Sequence, residues 1–99
     1  MIEEEDEDEI LYIDDSVIKG DICGFIHICE AKKVNDYISI SVNSDKKILR
    51  LYINDKLCCR QKNLEFFEFF EPIDFCGELK IRIESEDEPL ISEQMTFTI

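Results

Sequence analysis

Cys23, Phe25, His27 and Cys29 recur at a spacing of two, so on a β-strand all four project from one face. Three of them can ligate soft metals, and a thiol beside an imidazole is also the raw material of a nucleophile–base dyad. The spacing suits neither. Same-face positions on a strand lie about 6.5–7 Å apart, whereas zinc sites use tighter knuckles such as C-x2-C together with a fourth ligand. His27 is the only histidine, and no Ser or Cys can be paired with it from spacing alone. Cysteine also packs as a small hydrophobe. Core packing is therefore the expectation for this cluster, with no metal bound.

The remaining candidates for chemistry are weaker. Glu84, Glu86, Asp87 and Glu88 crowd one loop, but calcium needs six to eight oxygens around one point and no EF-hand spacing is present. Gly20, Gly24 and Gly77 are the only glycines, and none lies in a phosphate-binding or dinucleotide-binding pattern. No acid–base, nucleophile or cofactor constellation emerges. A non-enzymatic protein without a cofactor is expected.

One segment stands apart: Leu64-Glu65-Phe66-Phe67-Glu68-Phe69-Phe70. Period two places Phe66, Glu68 and Phe70 on one face of a strand, and Glu65, Phe67 and Phe69 on the other. A sandwich strand needs one apolar face only, so aromatics on both faces predict either a covering element or an exposed aromatic surface. Aromatic residues are enriched at the centres of protein interfaces. Phe66, Phe67, Phe69 and Phe70 are the interaction candidates.

These residues must be positioned by strands. No stretch sustains a capped apolar 3.6-residue period. Short β-branched and aromatic runs are instead separated by turn residues every 8–12 positions, as in an antiparallel sandwich or barrel. Ile10–Ile13 is a short first strand, and a longer one runs from Ile22 to Glu30. From Tyr37 to Asn43, Ile38, Ile40 and Val42 alternate with Ser39 and Ser41. Ile48–Ile53 follows, and Asn54-Asp55 suits a two-residue type I′ hairpin because both residues tolerate positive φ. The chain returns along Lys56–Arg60. The aromatic strand ends at Pro72, which cannot donate to a ladder. Leu79, Ile81 and Ile83 then alternate with Lys80, Arg82 and Glu84, and Met95, Phe97 and Ile99 mark a last strand. The expectation is an all-β, antiparallel sandwich of seven to eight strands.

Charge divides the chain. The 99 residues carry 24 acids and 11 bases, a net of −13. Residues 1–15 hold nine of the acids and no base, so the rest is close to balanced. Residues 1–9 read as an acidic flexible arm, since a block of like charge with little apolar content cannot offset the entropy of ordering. Residues 10–99 form one domain. Glu3, Glu4, Glu5, Asp6 and Glu7 are the arm's candidate contacts with a basic partner. The acidic balance argues against direct nucleic-acid binding and against docking on anionic lipid. No apolar run approaches membrane-spanning length, and the acidic start lacks the basic and apolar regions of a signal peptide. Cys23, Cys29, Cys58, Cys59 and Cys76 are odd in number, and two are adjacent. A reducing compartment, and no export by a signal peptide, is the expectation.

Three stretches resemble the bacterial and phage immunoglobulin-like domains found as modules of surface and phage proteins. They are Leu51-Tyr52-Ile53-Asn54-Asp55-Lys56-Leu57, Gly77-Glu78-Leu79-Lys80-Ile81-Arg82-Ile83, and Met95-Thr96-Phe97-Thr98-Ile99. The resemblance covers residues 37–99 and implies an immunoglobulin-like β-sandwich with no catalytic residues. It points to a structural module docking on a larger protein assembly, by analogy a phage capsid decoration or auxiliary virion protein. Its expected partners are other proteins, a capsid lattice or a second copy, in the virion or the host cytoplasm. The alternative is an acidic decoy that imitates nucleic acid and blocks a basic groove.

Overall fold

Ile38, Ile40 and Val42 are fully buried, and so are Leu49, Leu51, Leu79 and Ile83. This period-two burial organises the whole chain. The computed structural model describes residues 8–14 and 24–99. Within them the chain forms eight strands: β1 (Asp8–Ile13), β2 (Ile26–Val34), β3 (Tyr37–Ser44), β4 (Ile48–Ile53), β5 (Lys56–Lys62), β6 (Glu65–Pro72), β7 (Glu78–Ser85) and β8 (Ser92–Thr98). They assemble into two four-stranded sheets, ordered β1-β2-β3-β6 and β5-β4-β7-β8, with every pairing antiparallel. The chain is a β-sandwich. Its core joins Ile26, Ile28, Phe67 and Phe69 of the first sheet to the aliphatic side chains of β4 and β7.

The chain passes between sheets at β3–β4, β5–β6 and β6–β7, and these crossings put β3 beside β6 and β4 beside β7. Between β4 and β5, Asn54 and Asp55 have φ of 52° and 69°, the left-handed pair that a type I′ hairpin needs. Asn54 also extends the β4–β7 ladder with its side chain, its Oδ1 accepting from the Lys80 N–H at 2.8 Å.

Two boundaries differ from the sequence expectation. Strand β1 begins at Asp8, inside the segment assigned to the arm, because Asp8 and Glu9 pair with Val34 and Lys33. Residues 1–7 lie outside the described residues, as do Ile22 and Cys23 at the expected start of the second strand. That strand begins at Ile26 and continues past Glu30 to Val34. Its ladder slips between Ile28 and Glu30, so Cys29 is a bulge residue and the buried positions Ile28 and Ala31 are three apart. A bulge shifts the phase of alternation, which hides residues 31–34 from a period-two reading.

The entry to β2 is held by Asp45, whose carboxylate accepts from the N–H groups of Gly24 at 2.6 Å and Phe25 at 3.0 Å. Partial burial alone would raise its pKa, but these two donors, with Lys46 nearby, outweigh it and hold the carboxyl below its ordinary range. A depressed carboxyl stabilises the fold at neutral pH, and that contribution is lost as pH falls through its folded pKa. Asp45→Asn should therefore lower stability at pH 7 and flatten the decline in urea midpoint below about pH 5. An unchanged acid slope would refute this role for Asp45. Removing a buried ring tests the core: Phe67→Ala should cost about 3–5 kcal/mol, against about 1 kcal/mol or less for Phe70→Ala on the outer face. Equal losses in urea denaturation would contradict this division of the strand.

Candidate docking surface

Strand β6 divides its four phenylalanines between two environments. Phe67 and Phe69 are 0% and 1% exposed, with rings facing each other at 6.4 Å in the core. They are core residues, which corrects their inclusion among the interaction candidates: period two cannot bury them without turning Phe66 and Phe70 outward. Phe66 is 48% exposed and Phe70 55%. Tyr37 joins them from β3, stacking on Phe70 with ring centroids 4.7 Å apart and planes at 6°. The register places Phe70 opposite Ser39 and Tyr37 opposite Pro72, so the two rings are diagonal neighbours across the ladder, within reach for aromatic side chains.

No element covers these rings among the described residues. Strand β1 lies at the opposite edge of the sheet. There it adds Ile10 and Ile13, both exposed. Between these two edges lie β3, with Ser39 and Ser41 at its outer positions, and β2, whose Glu30 and Lys32 stand opposite them. An exposed stacked pair at one margin and a short-chained floor beside it form a surface that another protein can cover.

The aromatic margin adjoins a cleft. Where β5 and β6 border the gap between the sheets, a cavity of about 450 Å³ is lined by Ile53, Leu57, Cys58, Pro72 and Phe75, with Lys56 and Glu71 as its charged groups. Leu57 and Phe75 are exposed at its mouth. A mainly apolar cleft of this size with few polar groups suits a hydrophobic anchor. Tyr37, Leu57 and Phe75 were not singled out from sequence. Tyr37 reads only as the first residue of a strand, and the cleft exists only because two edge strands meet across the sandwich.

No family model and no curated protein matches the chain. The assignment of this surface rests on its geometry.

The other candidates resolve differently. Cys23 and residues Glu3, Glu4, Glu5, Asp6 and Glu7 lie outside the described residues. His27 lies largely buried on β2, its Nε2 3.9 Å from Asp14 Oδ2 and without a hydrogen-bond partner among the described residues. Cys29 Sγ lies 3.8 Å from the His27 carbonyl oxygen. Among the described residues no three His, Cys, Asp or Glu side chains converge as a metal site. Three of the four loop carboxylates are engaged in ion pairs: Glu84 with Arg82 at 3.3 Å, Glu86 with Arg60, and Glu88 with Lys46.

Those pairs belong largely to the outer face of the second sheet, which carries Arg50, Arg60, Lys80 and Arg82. Arg50 stands directly opposite Arg60 on one side and Glu84 on the other. Arg82 also lies over the Tyr52 ring, 4.2 Å from its centroid. The two outer faces therefore differ: the first carries exposed rings on β6 together with Glu68, Glu30 and Lys32, the second a lattice of charges.

The adjacent thiols sit at a second bulge. The β4–β5 register moves from Leu51↔Cys59 to Tyr52↔Leu57, so Cys58 is the extra residue, and both Cys58 and Cys59 pack against the core. Burial, with Glu71 adding to it, pushes the Cys59 thiol up to about 12, and burial raises Cys58 as well. A thiol reacts as its thiolate, so these two are held in the unreactive form at neutral pH. Iodoacetamide at pH 7.5–8 (roughly the range where ordinary thiols begin to ionise) should label exposed Cys76 well before Cys59 in the folded protein. Peptide mass mapping that found Cys59 labelled as fast as Cys76 would contradict this burial.

Proposed function

We propose that the protein is a non-enzymatic interaction module, an immunoglobulin-like sandwich that docks on a larger protein assembly through the outer face of its first sheet. The observation that carries this reading is the exposed Tyr37–Phe70 stack beside Phe66 on a face with no cover among the described residues. Large apolar groups left in water oppose solubility unless a partner removes them from it. Aromatic rings are effective anchors because they present much area at little cost in side-chain entropy.

The immunoglobulin-like assignment is supported by strand adjacency. In that fold, strands A–B and B–E pair in one sheet, and C–F and F–G in the other. Pairings β2–β3, β3–β6, β4–β7 and β7–β8 reproduce those adjacencies if β2 is taken as A. Strand β5 then occupies the C′ position beside β4, and β1 is an added strand outside A. The virion reading, a capsid decoration or auxiliary component, follows from the likeness of residues 37–99 to modules of phage proteins. Support for the acidic decoy is weaker, since a decoy needs anionic charge along a structured face and the second sheet spreads arginines and lysines across its own.

The test replaces the exposed rings while leaving the core alone. Phe66→Ser with Phe70→Ser should keep the circular-dichroism spectrum and lower affinity for the assembly by roughly a hundredfold, as loss of an aromatic hot spot does. Pelleting with purified capsids or virions of the source system measures it. Undiminished co-sedimentation of the double variant would remove this face from the proposal. Binding that instead collapses on deleting residues 1–7 and competes with DNA would favour the decoy.

A further inference from the structure

We propose that strand β8 is a self-association edge, through which two copies pair their second sheets into one continuous eight-stranded sheet. The proposal is independent of the docking face, which lies on the other sheet.

Three of the four edge strands carry features that oppose strand addition. On β6 part of the outward-pointing backbone is already satisfied or missing. The Gln61 side chain reaches across from β5, its Nε2 donating to the Glu68 carbonyl at 3.0 Å and its Oε1 accepting from the Glu68 N–H at 3.1 Å. The Phe66 N–H turns back to the Leu64 carbonyl at 2.6 Å, and Pro72 has no N–H. Strand β5 is bulged at Cys58 and carries Lys56, Arg60 and Lys62. Strand β1 has a register shift between Ile10 and Tyr12, and begins with two acids. Charges, proline and bulges are the usual guards of sheet edges.

Strand β8 has neither proline nor bulge. It runs Ser-Glu-Gln-Met-Thr-Phe-Thr without a bulge in its ladder and with one charge, Glu93. Its bonding phase is set at both ends. Gly77 and Ile99 exchange both backbone hydrogen bonds at 2.8 Å, and the Ser85 N–H donates to the Ile91 carbonyl at 3.1 Å. Antiparallel ladders alternate bonded and non-bonded pairs, so Glu93, Met95 and Phe97 bond to β7. The N–H and C=O groups of Ser92, Gln94, Thr96 and Thr98 therefore point away from it.

The sequence of β8 is complementary to itself when reversed. With Thr96 of both copies on the two-fold axis, Gln94 of one copy stands opposite Thr98 of the other, and these outward-directed groups meet. A Thr–Thr cross-strand pair is favourable. On the inner side the same register sets Met95 of one copy against Phe97 of the other. Both side chains are half-buried against the core, so pairing extends that core across the axis. Glu93 faces Ile99, and no two like charges oppose. This apolar-matched register, in which no like side-chain charges oppose, is the argument for a second copy as the occupant.

Sedimentation equilibrium of the full chain in reducing buffer, over a concentration series, tests the proposal. The expected mass at high concentration is twice the 11.7 kDa of one chain. Thr96→Pro removes an N–H directed to the edge and leaves the β7 ladder intact, a position where proline is tolerated. It should weaken the dimer by roughly tenfold or more while keeping the wild-type circular-dichroism spectrum. Thr96→Val keeps the N–H and should remain dimeric. If the proline variant does not fold, Thr96→Glu and Thr96→Lys test the same axis: each alone should dimerise more weakly, and an equal mixture should recover the heterodimer. A wild-type chain that stays monomeric throughout overturns the proposal. So does a folded proline variant with an unchanged dimer constant, or an equal Glu and Lys mixture that shows no recovery. A dimer that dissociates with Phe66→Ser and Phe70→Ser and ignores position 96 overturns it as well, and places self-association on the aromatic face.

Discussion

Every other feature of this molecule depends on the burial of one face of each strand between two sheets. The constraint is strict because side chains alternate: a residue placed in the core commits both its neighbours to the outside. On β3 and β7 the consequence is benign, since serines, lysines and arginines occupy the outward positions. On β6 it is not. Phe67 and Phe69 supply large rings to the core, and the same register holds Phe66 and Phe70 in solvent. The aromatic surface is thus the obverse of the core, made from one strand by one periodicity. Tyr37 converts exposed rings into an ordered one by stacking on Phe70.

Much of this was legible in the sequence where alternation is clean. Strand β4 runs over the expected Ile48–Ile53, the buried sets Ile38/Ile40/Val42 and Leu79/Ile81/Ile83 are as the pattern requires, and Asn54-Asp55 adopts the positive φ values of the expected hairpin. Two of the departures share one physical origin. A bulge adds a residue without adding a step, so the period-two pattern loses phase at Cys29 and again at Cys58. The first slip concealed the last four residues of β2. The second gathered two neighbouring thiols toward the core, where strict alternation would have sent one outward. The docking surface was half legible for a different reason. Its phenylalanines lie in one strand, whereas Tyr37 and the cleft at Leu57 and Phe75 arise from pairing across elements distant in sequence.

Edges complete the picture, because a sandwich leaves four of them to solvent. Here three different devices are used on three strands: bulge with acids on β1, bulge with cations on β5, and a side-chain amide standing in for a missing neighbour on β6. Gln61 is the most informative of these. By satisfying both backbone groups of Glu68 it ties β5 to β6, so the two sheets are joined along one side of the sandwich. That side is also where the cleft lies.

On β8 the balance is reversed: among the described residues no strand covers its outer backbone, and the side chains that accompany it are small, uncharged or half-buried. A chain of net charge −13 is protected from indiscriminate association by long-range self-repulsion, which is screened within about 8 Å at physiological salt. Such repulsion does not distinguish one strand register from another. Selection falls to short-range features, namely the direction of N–H groups, the match of Met95 to Phe97 and the absence of opposed like charges. The chain therefore separates two kinds of contact by physical type. The first sheet exposes rings beside a cleft, and the pairing proposed for the second uses a hydrogen-bonding edge.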